Sequence, residues 1–258
     1  TDQTWLAHDA PYVSDNGFTI VDYDGSALLT LEAGAVLKLG DGAAVRVDRN
    51  GGLALAGTAK APVTVTSASS TPQRGDWANI EVRVDSVSEH NDFDFAVIEY
   101  GGSSLFGCVE VWFDASVAIT DSTIRQCDDV GLQADTTAEL RDFVDNTLTD
   151  NTDGALQIGA NEVDQLGYGT YGPNDADGVV ADLFEPGHAA PWLDLDVPCV
   201  ADNGFDLEGA GGATAVLTRE AGATILLGDN GSIVVRDDAG LTLAGTESEP
   251  VTISSMYD

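Results

Sequence analysis

EAGAVLKLGDGAAVRVDRNGGLALAG, starting at Glu32, returns as EAGATILLGDNGSIVVRDDAGLTLAG from Glu220, with 13 of 26 positions identical at a fixed offset of 188 residues. At an offset of 187 the match extends upstream, where Trp5-Leu6 meets Trp192-Leu193 and Asp15-Asn16-Gly17-Phe18 meets Asp202-Asn203-Gly204-Phe205. The chain therefore carries an internal duplication, and its fold must accept near-equivalent units placed end to end. The expected organisation is a first copy over 1–190, with an irregular Gly-, Asp-, Asn- and Pro-rich excursion over 159–190, and the start of a second copy over 191–258, continuous with the first. A start without Met and a stop just after the second echo read as a piece of a longer parent, with open coil ends expected to associate end to end.

Between the echoes the chain is a succession of short apolar runs, among them FTIV, VLKL, NIEVRV, VEVWF and VAIT, separated by Gly, Asp, Asn and Ser. That is strand-and-turn chemistry, and no amphipathic helix interrupts it. The runs recur at 16 residues early (Leu29 to Val45, Leu39 to Leu55), at 21 later (Val109 to Val130) and at 24 between DDVGLQ and TDGALQ. A period of 16 to 24 residues holding two or three strands suits one coil of a solenoid, each coil lying about 4.8 Å above the last.

The stretch LTLEAGAVLKLGDGAAVRVDRNGGLALAG, with FAVIEYGG, DNTLTDNTDGALQIGANEV and PWLDLDVPCV, resembles the right-handed parallel β-helix proteins of the pectin-lyase-like superfamily, specifically large secreted bacterial and archaeal repeat proteins. The resemblance implies an all-β, right-handed parallel β-helix over nearly the whole chain. Because that superfamily holds lyases, hydrolases, adhesins and purely structural repeats, it implies no single activity. Asn151-Thr152-Asp153 and Asp128-Asp129 are similar to the NTD and DD motifs of its polygalacturonases, but in reversed order and without the Gly-His-Gly and Arg-Ile-Lys motifs that should follow.

Stacking DDVGLQ on TDGALQ nominates Asp128, Asp129, Asp150 and Asp153 as an acidic cluster, a candidate calcium site or carboxylate pair. The nearest cations in sequence are Arg125 and Arg141, each equally suited to pairing with a corner carboxylate. Cys108 and Cys127 lie almost one coil apart, close enough in principle for a disulfide. His8, His90 and His188 sit far from any nucleophile, and Arg74-Gly75-Asp76 reads as a turn leading into Trp77. The four tryptophans are candidates for a sugar-binding face, although Trp5 and Trp192 occupy equivalent repeat positions that favour packing. The expected role is a non-catalytic structural or adhesive segment of a secreted or cell-surface protein, the alternative a polysaccharide-active lyase or hydrolase.

The balance of 44 acidic against 10 basic residues, a net charge of −34, repels nucleic acid and anionic membranes, and would repel an acidic polysaccharide unless a cation intervened. The acids are spread along the whole chain, which points to saline surroundings that screen self-repulsion more than to one cation site. The thermal midpoint is accordingly expected to rise from dilute buffer to molar NaCl. A midpoint indifferent both to salt and to calcium at matched ionic strength would refute this electrostatic account.

Overall fold

The computed structural model describes residues 2–103, 105–159, 162–182, 191–208 and 216–257, and these form a parallel β-solenoid of about nine turns. Sheet A stacks Gln3–Trp5, Ala27–Glu32, Gly51–Ala56, Asp92–Asp94, Ser116–Thr120 and Glu139–Val144. Sheet B stacks Tyr12–Ser14, Val36–Leu39, Val63–Ser67, Ala96–Glu99, Thr123–Arg125 and Thr147–Thr149. Sheet C begins with Phe18–Ile20, Val45–Val47, Ile80–Val82, Val109–Val111, Leu132–Ala134 and Leu156–Gly159. Within each strand the side chains alternate, so Leu31, Leu39, Val47, Ile80, Ile98, Ile119 and Leu132 point inward and are fully buried in one continuous core.

The register corrects the short period. Leu29 pairs with Leu53, Leu37 with Val65 and Val45 with Ile80, so early coils hold 24, 28 and 35 residues. Leu29 and Val45 belong to sheets A and C, and Leu39 and Leu55 to sheets B and A. The 16-residue spacing is therefore a step between faces within the solenoid, not a whole coil. The 24-residue match holds as written, since Leu132-Gln133 pairs with Leu156-Gln157, whereas the 21-residue spacing falls short of the coil, Val109 pairing with Leu132 and not Val130.

Corners are set by backbone geometry. Phe95, Asp121 and Asp145 stack in successive coils with φ of 47°, 50° and 57°, and Tyr100, Gln126 and Asp150 form a second column at 65°, 57° and 58°. Asp and Asn tolerate this left-handed region better than most residues, which explains part of the Asp richness. Just beyond the three Asp corners a buried polar residue, Ser122, Asn146 or Asn151, bonds backbone groups of its neighbours. Ser122 N donates to Asn146 Oδ1 at 3.0 Å and Asn146 Nδ2 to the Ile119 carbonyl at 2.7 Å, while Cys127 N donates to Asn151 Oδ1 and Asn151 N to Asn174 Oδ1, both at 3.0 Å.

Residues 162–182, inside the stretch where the sequence rhythm breaks, trace another coil: Leu166 bridges Phe143, Thr170 bridges Thr147, and Val179–Asp182 joins sheet C. The rest of that stretch, 160–161 and 183–190 with His188, lies outside the described residues. Sheet C then runs on through Cys199–Ala201, Thr224–Leu227 and Thr252–Ser255 to ten strands. By the repeat offsets these last three correspond to Tyr12–Ser14, Val36–Leu39 and Thr64–Ser67, which lie in sheet B. The matching unit is thus not a whole number of coils, and its second occurrence is turned by one of the three faces.

Asn146 is 1% exposed and both its amide atoms are bonded to backbone. Asn146→Ala is expected to cost about 2–4 kcal/mol, by stranding a buried N–H and a buried carbonyl. Urea denaturation checks this, and a loss below about 1 kcal/mol would show that the corner ladder is not needed.

Candidate functional site

The acidic residues nominated from sequence are distributed over two corners. Asp150 is exposed at a left-handed corner, its N–H donating to the Pro173 carbonyl at 2.7 Å. Asp128 and Asp129 are half-buried and Asp153 exposed, one coil on, with Asp153 N donating to the Asp129 carbonyl at 3.3 Å. Burial pushes the Asp129 carboxyl up from its ordinary range, and the charges of Asp153 and Asp128 push the same way. Among the described residues no three His, Cys, Asp or Glu side chains converge as a metal-ligand group.

The cations near the cluster in sequence are engaged elsewhere. Arg125 pairs with Glu99 at 2.8 Å, and Arg141 with Asp92 at 2.8 Å while also binding the Ser88 and Asn91 carbonyls. The Arg74-Gly75-Asp76 turn is likewise tied down, with Arg74 on Asp175 and Asp76 Oδ2 accepting from Ser67 Oγ at 2.6 Å and Gln73 N at 2.9 Å. Cys108 and Cys127, both fully buried, form a disulfide between neighbouring coils; Cys199 is a free, buried thiol. Trp77 and Trp192 are buried in the core, so the tryptophans do not form an exposed aromatic row.

A different constellation lies on the outer face of sheet C, where in-register pairing stacks Thr19, Arg46, Glu81, Glu110, Gln133 and Gln157 in one column. Glu81 is held from both sides, by Arg46 Nε at 3.1 Å and by Arg83 Nη2 at 2.6 Å, and the Arg83 guanidinium lies 4.7 Å from the Trp112 ring centroid. Glu110, 9% exposed, accepts from Asn79 Nδ2 at 2.9 Å. Burial raises the Glu110 carboxyl above its ordinary range, Glu81 and Asp135 add to the rise, and the Trp112 indole and Arg83 oppose it. Asp135, whose Oδ2 accepts from Phe113 N at 3.3 Å, is also raised by burial. Beside it a groove of about 210 Å³ is lined by Phe113, Gln133, Asp135, Thr136, Gln157 and Gly159.

Sequence reasoning passed over this column. Its signal was present in the central polar residues of VRV, IEV, VEV and LQA, but the coil lengths that align them vary and are not written in the pattern. Among the described residues no helix is long and apolar enough to cross a membrane. In comparisons with protein-family models, curated proteins and solved structures, the chain matches none.

A carboxyl whose pKa is raised in the folded protein holds its proton more tightly there than in the unfolded chain. Glu110, Asp129 and Asp135 should therefore add stability as pH falls from neutral toward the ordinary carboxylate range near 4, and withdraw it as pH rises. Below that range Asp175, lowered by its hydrogen bond to Arg74, works in the opposite direction. At a fixed high salt concentration the thermal midpoint should be higher at pH 5 than at pH 7, and Glu110→Gln should raise it at pH 7 and flatten the slope. An unchanged slope in Glu110→Gln would remove Glu110 from the account.

Proposed function

We propose that this chain is a non-catalytic structural or adhesive segment of a larger secreted or cell-surface repeat protein, a rigid rod of the pectin-lyase-like β-helix type. The observation that carries the reading is the use of positive charge. Six of the ten basic residues, Arg46, Arg74, Arg83, Arg125, Arg141 and Arg236, pair with carboxylates of other coils, namely Glu81, Asp175, Asp48, Glu99, Asp92 and Asp206. Exposed pairs of this kind contribute little one at a time, but a set of them tying successive coils resists bending and shear along the axis. The buried Cys108–Cys127 disulfide acts in the same direction and suits an oxidising compartment outside the cell.

A second reading, a polysaccharide-active enzyme, is favoured by one observation: Asp135, its carboxyl raised by burial, lines the groove with Gln133 and Gln157, and Glu110, likewise raised, is the register neighbour of Gln133. Incubation with polygalacturonate, alginate and neutral glucans, with and without calcium, separates the two. The structural reading expects no reducing ends and no unsaturated product. Product formation abolished by Glu110→Gln or Asp135→Asn would establish the enzyme instead.

A further inference from the structure

On sheet C the outer column changes character half-way along the solenoid. After Arg46, Glu81 and Glu110 it continues through Gln133, Gln157, Val180, Val200, Leu226 and Ser254, six consecutive coils without a charge. Val180, Val200 and Leu226 are half-buried, stacked on one another and still open to solvent. At about 4.8 Å per coil the uncharged strip is about 24 Å long. What sets this strip apart in a chain of net charge −34 is its three stacked apolar side chains with acidic margins. Asp129, Asp153 and Asp177 precede the strands on one side, and Asp135 and Asp202 follow them on the other.

An uncharged strip with three stacked apolar side chains at its middle and aspartates on both margins calls for a partner with the converse pattern, an apolar stripe flanked by cations. A helix provides it, because an apolar ridge at positions i, i+3, i+4 and i+7 repeats about every 5.4 Å, close to the coil spacing, and about 16 residues span the strip. A sheet face with an apolar stripe is ordinarily covered by a helix in this way. We propose that the sheet C face from Gln133 to Leu226 is a docking surface for a basic amphipathic helix, with leucine-like side chains on Val180, Val200 and Leu226 and Lys or Arg reaching the margin aspartates. Charge complementarity selects this occupant: a second copy of the chain brings −34 of like charge, and a neutral glycan gains nothing from the carboxylate margins.

The probe is a dye-labelled peptide of about 16 leucines and lysines in helical amphipathic order, set against its scrambled isomer of identical composition, titrated by fluorescence anisotropy near physiological salt. The ordered peptide should bind about tenfold tighter than the isomer. Val200→Arg should weaken it about tenfold, while Val13→Arg, an equal charge change at an exposed position of sheet B, should alter it less than about twofold. Leu226→Asn gives the same reading should Val200→Arg fail to fold by circular dichroism. Equal binding of the two isomers, or equal losses in the two arginine variants, would reduce the effect to net charge and overturn the proposal. Preferential binding of a neutral gluco-oligosaccharide, or a dimer dissolved by Val200→Arg, would give the strip another occupant and overturn it as well.

Discussion

Everything in this molecule follows from backbone hydrogen bonds between one coil and the next. Because the strand pairings among the described residues are parallel, and in register but for one bulge between Val117 and Ile119, a side chain meets its counterpart about 4.8 Å away in both directions along the axis. For inward residues that proximity is favourable: stacked Val, Leu and Ile exclude water continuously from Leu29 to Ile225. For outward charged residues it is unfavourable, since like charges are brought within a few ångströms by a constraint that the side chains cannot relax. Glu81 and Glu110 are direct register partners, and the molecule resolves the conflict asymmetrically: two arginines hold Glu81, while Glu110 keeps an amide partner and a raised pKa.

The same constraint explains where the excess acid goes. Of the two corner columns with left-handed backbone, Asp occupies three of six positions, Asp121, Asp145 and Asp150, where the side chain leaves the sheet plane and meets water. Carboxylates there carry net charge without entering the stacked columns. Basic residues are scarce, and six of the ten serve an acid of another coil, among them Arg46 on Glu81, Arg125 on Glu99 and Arg236 on Asp206.

Strand identity and fold class were legible because alternation such as VRV or IEV reports directly which side chains face inward. Register was not, since it depends on the length of the excursions between strands, and the turn from Val47 to Ile80 contains a whole strand of each of the other two sheets plus a long loop. That is why Leu29 and Val45 looked like stacked partners when they lie on different faces. The acidic corner was legible as a local run of Asp, and Asp129 does meet Asp153 across coils, but the separation of Asp150 at its own left-handed corner required the backbone. The sheet C column was invisible for the same reason as the register that builds it.

The duplication shows what the fold constrains and what it leaves free. Among the 13 identities between Glu32–Gly57 and Glu220–Gly245 are Ala35, Leu39, Val47, Leu53 and Leu55, all inward and at most 2% exposed, together with glycines at 34, 40, 52 and 57. Gly40 and Gly57 cannot change, because a Cβ there would lie 2.6 and 2.3 Å from the backbone of Asp15 and Phe95. The outward positions diverge instead: Lys38 becomes Leu226, Arg46 becomes Val234 and Asp48 becomes Arg236. Since the second occurrence is also turned by one face, Leu226 does not lie above Lys38 but in the column of Thr19 and Arg46. A uniform core thus carries a surface that changes along the axis, from the charged clamp around Glu81 to the uncharged strip around Val200, without any change in the strands that support it.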